Sequence, residues 1–196
     1  MIPPDPLERF RDTYALAGKV DRALIPDVSA MSLATIEEGG QPSVRIVLLK
    51  AFDERGFVFY TNFHGRKGRH LLAQPKAALC FYWPPIDIQV RIEGTVTKVA
   101  DAEADAYFAT RARQSQIGAW ASRQSEPLET ASALEDQIVR YERKFHGSDV
   151  PRPDFWSGFR VWPERIEFWK NMPNRLHQRH LYTRNGKGWK IETLYP

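Results

Sequence analysis

Leu7, Phe10 and Tyr14 recur at helical spacing within residues 5–17, with Asp5 placed to cap and Pro6 at the first helical position, so the chain is expected to open on a helix. The period then changes. Residues 31–36 read as a strand, Glu37-Glu38-Gly39-Gly40 as a turn, 43–50 as a second strand, 53–56 as a second turn and 57–61 as a third strand. Turns this short favour antiparallel neighbours, which predicts an opening meander. A short basic helix follows over 65–73, ending near Pro75.

Residues 77–83 and 88–98 are aromatic and β-branched, as strands require, and Trp83-Pro84-Pro85 between them must be loop because proline has no amide to give a ladder. Residues 101–110 read as a helix capped by Asp101. Leu134, Ile138, Tyr141 and Phe145 place an amphipathic helix over about 128–146. After a proline-bearing connector at 147–153, strands return at 159–162, 165–169, 181–184 and 189–194, the last two joined across Asn185-Gly186-Lys187-Gly188. Many short, mostly antiparallel strands with inserted helices predict a mainly β fold, a barrel with a helical side layer.

Composition narrows this little. A chain of 196 residues suits one domain, and 42% hydrophobic with 27% charged residues excludes intrinsic disorder. No apolar run approaches the roughly 18–20 residues needed to span a bilayer. Met1-Ile2-Pro3-Pro4-Asp5 does not begin a signal peptide, and Cys80, the lone cysteine, permits no intrachain disulfide, so a soluble cytoplasmic protein is expected. The net charge of +4 favours anionic partners, but phosphorylated metabolites and nucleic acids are both anionic. Placement of the cations must decide.

The chain has no P-loop motif, no G-x-G-x-x-G and no G-x-S-x-G elbow. His64, His70, His146, His177 and His180 lack companions at metal-ligand spacing, so no metal is expected. Three polar groups stand out. In the first, Arg45 and Lys50 bracket a strand, Tyr60-Thr61 ends another, and Arg66-Lys67 opens a helix. Fixed guanidinium donors, a hydroxyl and helix N-terminal amides suit a phosphate, although Arg66, Lys67 and Arg69 taken alone read as a solvated helix face. In the second, Tyr107, Arg111 and Ser115 follow at i, i+4 and i+8, with Gln124-Ser125 in a loop beyond. In the third, alternation along a strand would put Arg175, His177 and Arg179 on one face, where they repel unless an anion lies between them.

In this order and at these separations, the groups resemble the pyridoxamine 5'-phosphate oxidase family of the flavin-binding split-barrel superfamily. The resemblance runs from about Asp5 to Pro196. It is most specific at 45–50, Phe59-Tyr60-Thr61-Asn62, 115–125, Phe155-Trp156-Ser157-Gly158-Phe159-Arg160 and 166–179. It implies a single antiparallel FMN-binding split β-barrel and a homodimer with FMN at the subunit interface. By the same resemblance FMN would meet Arg45, Ile46, Val47, Leu48, Leu49, Lys50, Tyr60, Thr61, Arg66, Lys67, Gln89, Gln124, Ser125, Trp169 and Arg179. The substrate, pyridoxamine or pyridoxine 5'-phosphate, would meet Lys50, Tyr107, Arg111, Ser115, Arg175, Leu176 and His177, with Arg175 and His177 as the catalytic pair and Asp27 a weaker candidate for a supporting acid. The implied reaction yields pyridoxal 5'-phosphate, with dioxygen reduced to hydrogen peroxide and no nucleic-acid or membrane partner.

The chain departs from the family pattern at Lys170 and Gln178, and it starts too late to supply the longer N-terminal arm common in the family. Gln178 stands where a carboxylate could pair with Arg175 or Arg179. Two rivals remain: a phenazine-biosynthesis type of flavin oxidase, against which Tyr107, Arg111 and Ser115 argue, and a non-catalytic barrel that binds nucleic acid through its cations and six tryptophans.

Overall fold

The computed structural model describes residues 2–196. Its strands are β1 (Ala30–Ile36), β2 (Pro42–Leu48), β3 (Ala51–Asp53), β4 (Gly56–Asn62), β5 (Lys76–Trp83), β6 (Ile88–Lys98), β7 (Trp156–Lys170), β8 (Gln178–Asn185) and β9 (Gly188–Leu194). They form one antiparallel sheet in the order β2-β1-β5-β6-β7-β4-β3, with β8 on β7 and β9 on β8. The helices are α1 (Pro6–Ala17), α2 (Arg66–Ala73), α3 (Asp101–Ala109), α4 (Arg113–Ala121) and α5 (Ala133–Lys144). This is the antiparallel barrel with peripheral helices that the strand pattern predicts. No helix among the described residues is long and apolar enough to cross a membrane.

Period-two alternation gives the sheet two unlike faces. Met31, Leu33, Leu79, Phe81, Val90, Ile92, Ile166, Phe168 and Tyr182 are buried on the inner one. There α1 lays Phe10 into the barrel, its ring within 4.9 to 5.1 Å of Phe52, Phe57 and Phe81. Arg9, one residue earlier on α1, stacks over Phe168 and donates to the Tyr182 hydroxyl at 3.2 Å, and that hydroxyl donates to the Pro3 carbonyl at 2.8 Å. The first helix is thus fastened to β8. On the outer face Val44, Ile46 and Leu48 stand 69%, 62% and 37% exposed along edge strand β2.

Several boundaries differ from the sequence expectation. The two strands expected at 159–162 and 165–169 are one, because β7 runs through Pro163 with a register shift opposite Gly94. A side chain at Gly94 would meet the Trp162 carbonyl at 1.9 Å, so only glycine permits this bulge. The expected strand 43–50 stops at Leu48, Leu49 turns into the core, and β3 rather than β2 pairs with β4. The meander is cut short there, since β4 has β7 as its other neighbour.

Asp101 does not cap α3. Ala100 holds that position, and the Asp101 and Asp105 carboxylates both pair with Arg152 at 2.8 and 2.6 Å, a stronger claim on them than an N-cap bond. The helix read over 128–146 spans only Ala133–Lys144. The face expected from Arg175, His177 and Arg179 does not form. Pro173–Arg175 make a tight turn with Asn174 and Arg175 at φ of 58° and 62°, and β8 begins only at Gln178.

Candidate active site

At one end of the barrel a cleft of about 510 Å³ opens between β2, β4, the start of α2 and the α3–α4 corner. Ile46, Val47, Leu48 and Lys50 line it from the β2 side, Tyr60, Thr61 and Asn62 from β4, and Lys67 from α2. Tyr107, Arg111, Ala112, Ser115, Gln124 and Trp156 complete the wall. Lys50, Tyr60, Thr61 and Lys67 of the first polar group therefore meet Tyr107, Arg111, Ser115 and Gln124 of the second in one cavity, while Arg45, Arg66 and Ser125 stand outside its lining.

The helical corner makes an anion receptor. Tyr60, Tyr107 and Trp156 stack nearly parallel, with centroids 4.0 Å apart for the two tyrosines and 5.5 Å for Tyr60 and Trp156. Burial, aided by the charges of Glu103 and Tyr107, pushes the Tyr60 phenol up to about 12, so it stays a neutral donor. The Arg111 guanidinium lies over Trp156 at 4.5 Å, and its Nη1 is buried with no partner among the described residues. Burial lowers the pKa of this group against the opposing pull of Tyr107. A buried cationic donor without an acceptor calls for an anion from outside the chain. The i, i+4, i+8 pattern is realised across two helices: Tyr107 ends α3, Arg111 lies in the corner and Ser115 is on α4.

The other end of the cleft is organised by α2. Gly65 caps it without a side-chain bond, no acid stands in its first turn, and Arg66 and Lys67 sit at its positive pole, where cations are unfavourable unless an anion joins them. Lys67 Nζ donates to Gln124 Oε1 at 2.7 Å and to Thr61 Oγ1 at 3.2 Å. A side chain at Gly65 would lie 2.5 Å from Gln124 Oε1 and would push that amide off Lys67. The Arg66 amide donates to Ser125 Oγ at 3.2 Å, with Ser125 at φ of 74°. Arg45 projects to the inner side of β2, where its Nη1 donates to Thr35 Oγ1 at 2.7 Å and to the Leu33 and Ser43 carbonyls. Burial and then Arg66 depress the Arg45 pKa, and burial and then Arg45 depress that of Lys67. Glu37 pairs with Arg66 at 3.4 Å, but one carboxylate against three cations at a helix N-terminus still leaves a second anion receptor.

The remaining predicted residues lie elsewhere. Gln89, Trp169 and Arg179 are cross-strand neighbours on β6, β7 and β8, on the outer face. The His177 ring stands 4.6 Å from Trp169, and its Nδ1 accepts from the Met172 amide at 3.3 Å. None of these four, nor Arg175 or Leu176, lines the cleft. Leu49 is core. Asp27 accepts from the Ser29 hydroxyl and amide at 2.6 and 2.9 Å, bonds that lower its pKa with help from Lys50 and Arg22, so it remains ionised and is no acid.

Sequence reasoning missed Glu167. It is 4% exposed and binds Arg179 Nε at 2.8 Å and Arg91 at 3.0 Å. Alternation along β7 puts it on the face of Trp169, which is the signal that could have found it. Gln178 therefore deprives Arg179 of nothing: its carboxylate comes from the neighbouring strand.

Residues 18–145 match the family model described as pyridoxamine 5'-phosphate oxidase, and residues 156–196 match that of the pyridoxine 5'-phosphate oxidase C-terminal dimerisation region. The chain belongs to the pyridoxamine 5'-phosphate oxidase family. A pyridoxine/pyridoxamine 5'-phosphate oxidase from Myxococcus xanthus (strain DK1622) is 56% identical over all 196 residues and 94% of its own length. Among solved structures, PhzG from Burkholderia lata 383, in complex with tetrahydrophenazine-1-carboxylic acid, superposes with a TM-score of 0.90 at 30% identity, covering 100% of this chain and 94% of the other. A pyridoxamine 5'-phosphate oxidase-related, FMN-binding protein from Nostoc punctiforme PCC 73102 shares the fold with a TM-score of 0.75 at 20% identity, covering 95% and 97%. In the family's terms the cleft falls within the oxidase match except for Trp156, and β7 to β9 fall within the dimerisation region.

Proposed function

We propose that this chain oxidises pyridoxamine or pyridoxine 5'-phosphate to pyridoxal 5'-phosphate in the cytoplasm, using FMN, with dioxygen reduced to hydrogen peroxide. The observation that carries the reading is the pair of anion receptors in one cleft, because this reaction brings together two phosphates, one on cofactor and one on substrate. Arg45, Arg66, Lys67 and the α2 amides fit the first, with Thr61, Gln124 and Ser125 beside them. Lys50, Tyr107, Ser115 and the unpaired Nη1 of Arg111 fit the second. Bound FMN supplies the hydride-accepting ring. The chain's own residues hold the substrate's phosphate and exclude water with the Tyr60, Tyr107 and Trp156 stack.

Gln89, Trp169, Arg175, Leu176, His177 and Arg179 enter this reading from the second subunit of a homodimer. Two features support it: the match of residues 156–196 to a dimerisation region, and the apolar stripe of Val44, Ile46 and Leu48 on the face that carries Trp169 and Arg179. The Burkholderia relative raises the phenazine alternative. A second phosphate receptor built around a buried arginine favours the phosphorylated B6 vitamer instead.

The purified protein is expected to be yellow and to bleach when pyridoxamine or pyridoxine 5'-phosphate is added without oxygen. Retained colour with both substrates at full flavin occupancy would rule out the substrate. A protein that takes up no flavin would rule out the class. His177→Ala is expected to slow anaerobic bleaching about tenfold, the loss typical of one orienting contact, with little change in flavin affinity. Equal losses in both would show that His177 only holds the cofactor.

A further inference from the structure

α2 carries one residue that nothing above has used. His70 sits in its last turn, 5% exposed, and its Nδ1 lies 3.1 Å from Thr35 Oγ1 on β1, itself 1% exposed. Thr35 Oγ1 also receives the 2.7 Å bond from Arg45 Nη1. An arginine can only donate, so the Thr35 oxygen accepts there; among the described residues its hydroxyl proton has no other acceptor in reach than His70 Nδ1, so the arrangement that leaves no buried donor stranded points that proton at His70. Nδ1 of His70 is then the acceptor and must be unprotonated, leaving the ring neutral with its proton on Nε2.

We propose that His70 is a positioning residue for FMN: by accepting from Thr35 it turns that hydroxyl's lone pairs to Arg45 and holds the guanidinium beside the α2 N-terminus. The chain ties the two arms of the phosphate receptor together, since Arg45 comes from β2 while Arg66 and Lys67 come from the helix that carries His70. This rests on the assignment of Arg45 and α2 to the cofactor phosphate.

The tie is sensitive to protons. The charged groups facing His70 are Glu37 from the β1–β2 turn, Arg45 from β2, and Arg66 and Arg69 from α2 itself. Burial comes first among the causes that lower the His70 pKa, Glu37 opposes it, and the three arginines add to it. The ring is therefore neutral at pH 7 and takes its proton only below the ordinary histidine range. Once protonated, Nδ1 can no longer accept, the Thr35 hydroxyl loses its acceptor, and the hold on the Arg45 guanidinium loosens. FMN affinity should fall as pH drops through that point.

The test is FMN titration of the apoprotein, followed by quenching of flavin fluorescence, for wild type, His70→Leu and His70→Asn. Asparagine keeps an acceptor where Nδ1 was and cannot take a proton. His70→Leu is expected to weaken FMN binding about tenfold, the effect of stranding one buried donor. His70→Asn should stay within about threefold of wild type and lack the part of the acid fall-off that comes from His70. The phosphate of FMN protonates near pH 6 in all three proteins, so the signal is the difference in slope between wild type and His70→Asn. Equal affinities for the leucine and asparagine variants, or parallel pH profiles for wild type and asparagine, overturn the proposal. A leucine variant that does not fold leaves the comparison of pH profiles to decide. Arg45→Met in the same titration separates the two readings: unchanged affinity there would remove the phosphate assignment on which the role of His70 depends.

Discussion

Replacing Arg111 by leucine is expected to raise the KM for pyridoxamine 5'-phosphate about a hundredfold, because two charge-assisted bonds to a phosphate are together worth about 3 kcal/mol. Nothing inside the protein competes for the lost interaction, since Arg111 Nη1 has no partner among the described residues. The guanidinium is also held by stacking on Trp156, so it reaches the phosphate without being ordered first. Two further readouts separate a binding role from a structural one. Flavin content should be unchanged, because the α2 receptor is built from Arg45, Arg66 and Lys67 and not from Arg111. The melting temperature of the substrate-free protein should hold or rise, because the substitution removes a buried charge that the empty site leaves unsatisfied. A lowered melting temperature with an unchanged KM would mean that Arg111 serves α3 and Trp156 rather than the substrate.

A carboxylate on the open face of β2 should do greater damage. In a two-fold assembly each substitution appears twice, and Val44→Asp would bury two unpaired charges, each carrying a desolvation penalty of several kcal/mol. The dimer dissociation constant is expected to rise by about a thousandfold or more. Sedimentation at micromolar concentration should show a monomer, and the same sample should be colourless, having lost the partner's Trp169 and Arg179. Val44 does not line the cleft, so flavin loss without dissociation is not expected. Val44→Thr, which keeps size and carries no charge, should remain dimeric and yellow. A yellow, dimeric Val44→Asp would show that the subunits meet elsewhere.

Strand and helix positions were legible wherever one face of an element is buried, because burial imposes a period on the residues. Phe10 on α1 and the alternating apolar residues of β5 and β6 are of this kind. The break at Leu49, the bulge at Gly94 and the turn at Asn174 and Arg175 were not, since they depend on a backbone approach or a positive φ that has no period. The same division holds at the site. Arg45, Lys67, Tyr107 and Arg111 announce themselves by type and position. Glu167 does not, because its role comes from Arg91 and Arg179 on the two strands that flank β7, and those neighbours are 76 and 12 residues away in sequence.

The fastening of α1 to β8 bears on how the protein comes to exist at all. Arg9 and Phe10 are made well before Tyr182, which Arg9 grips and which follows 173 residues later. Phe10 meets its partners Phe52, Phe57 and Phe81 early, but the anchor of α1 on β8 must wait until Tyr182 has been made. Contacts of such long sequence separation form slowly, and until β7 and β8 arrive the Arg9 guanidinium lacks the Phe168 and Tyr182 rings that hold it.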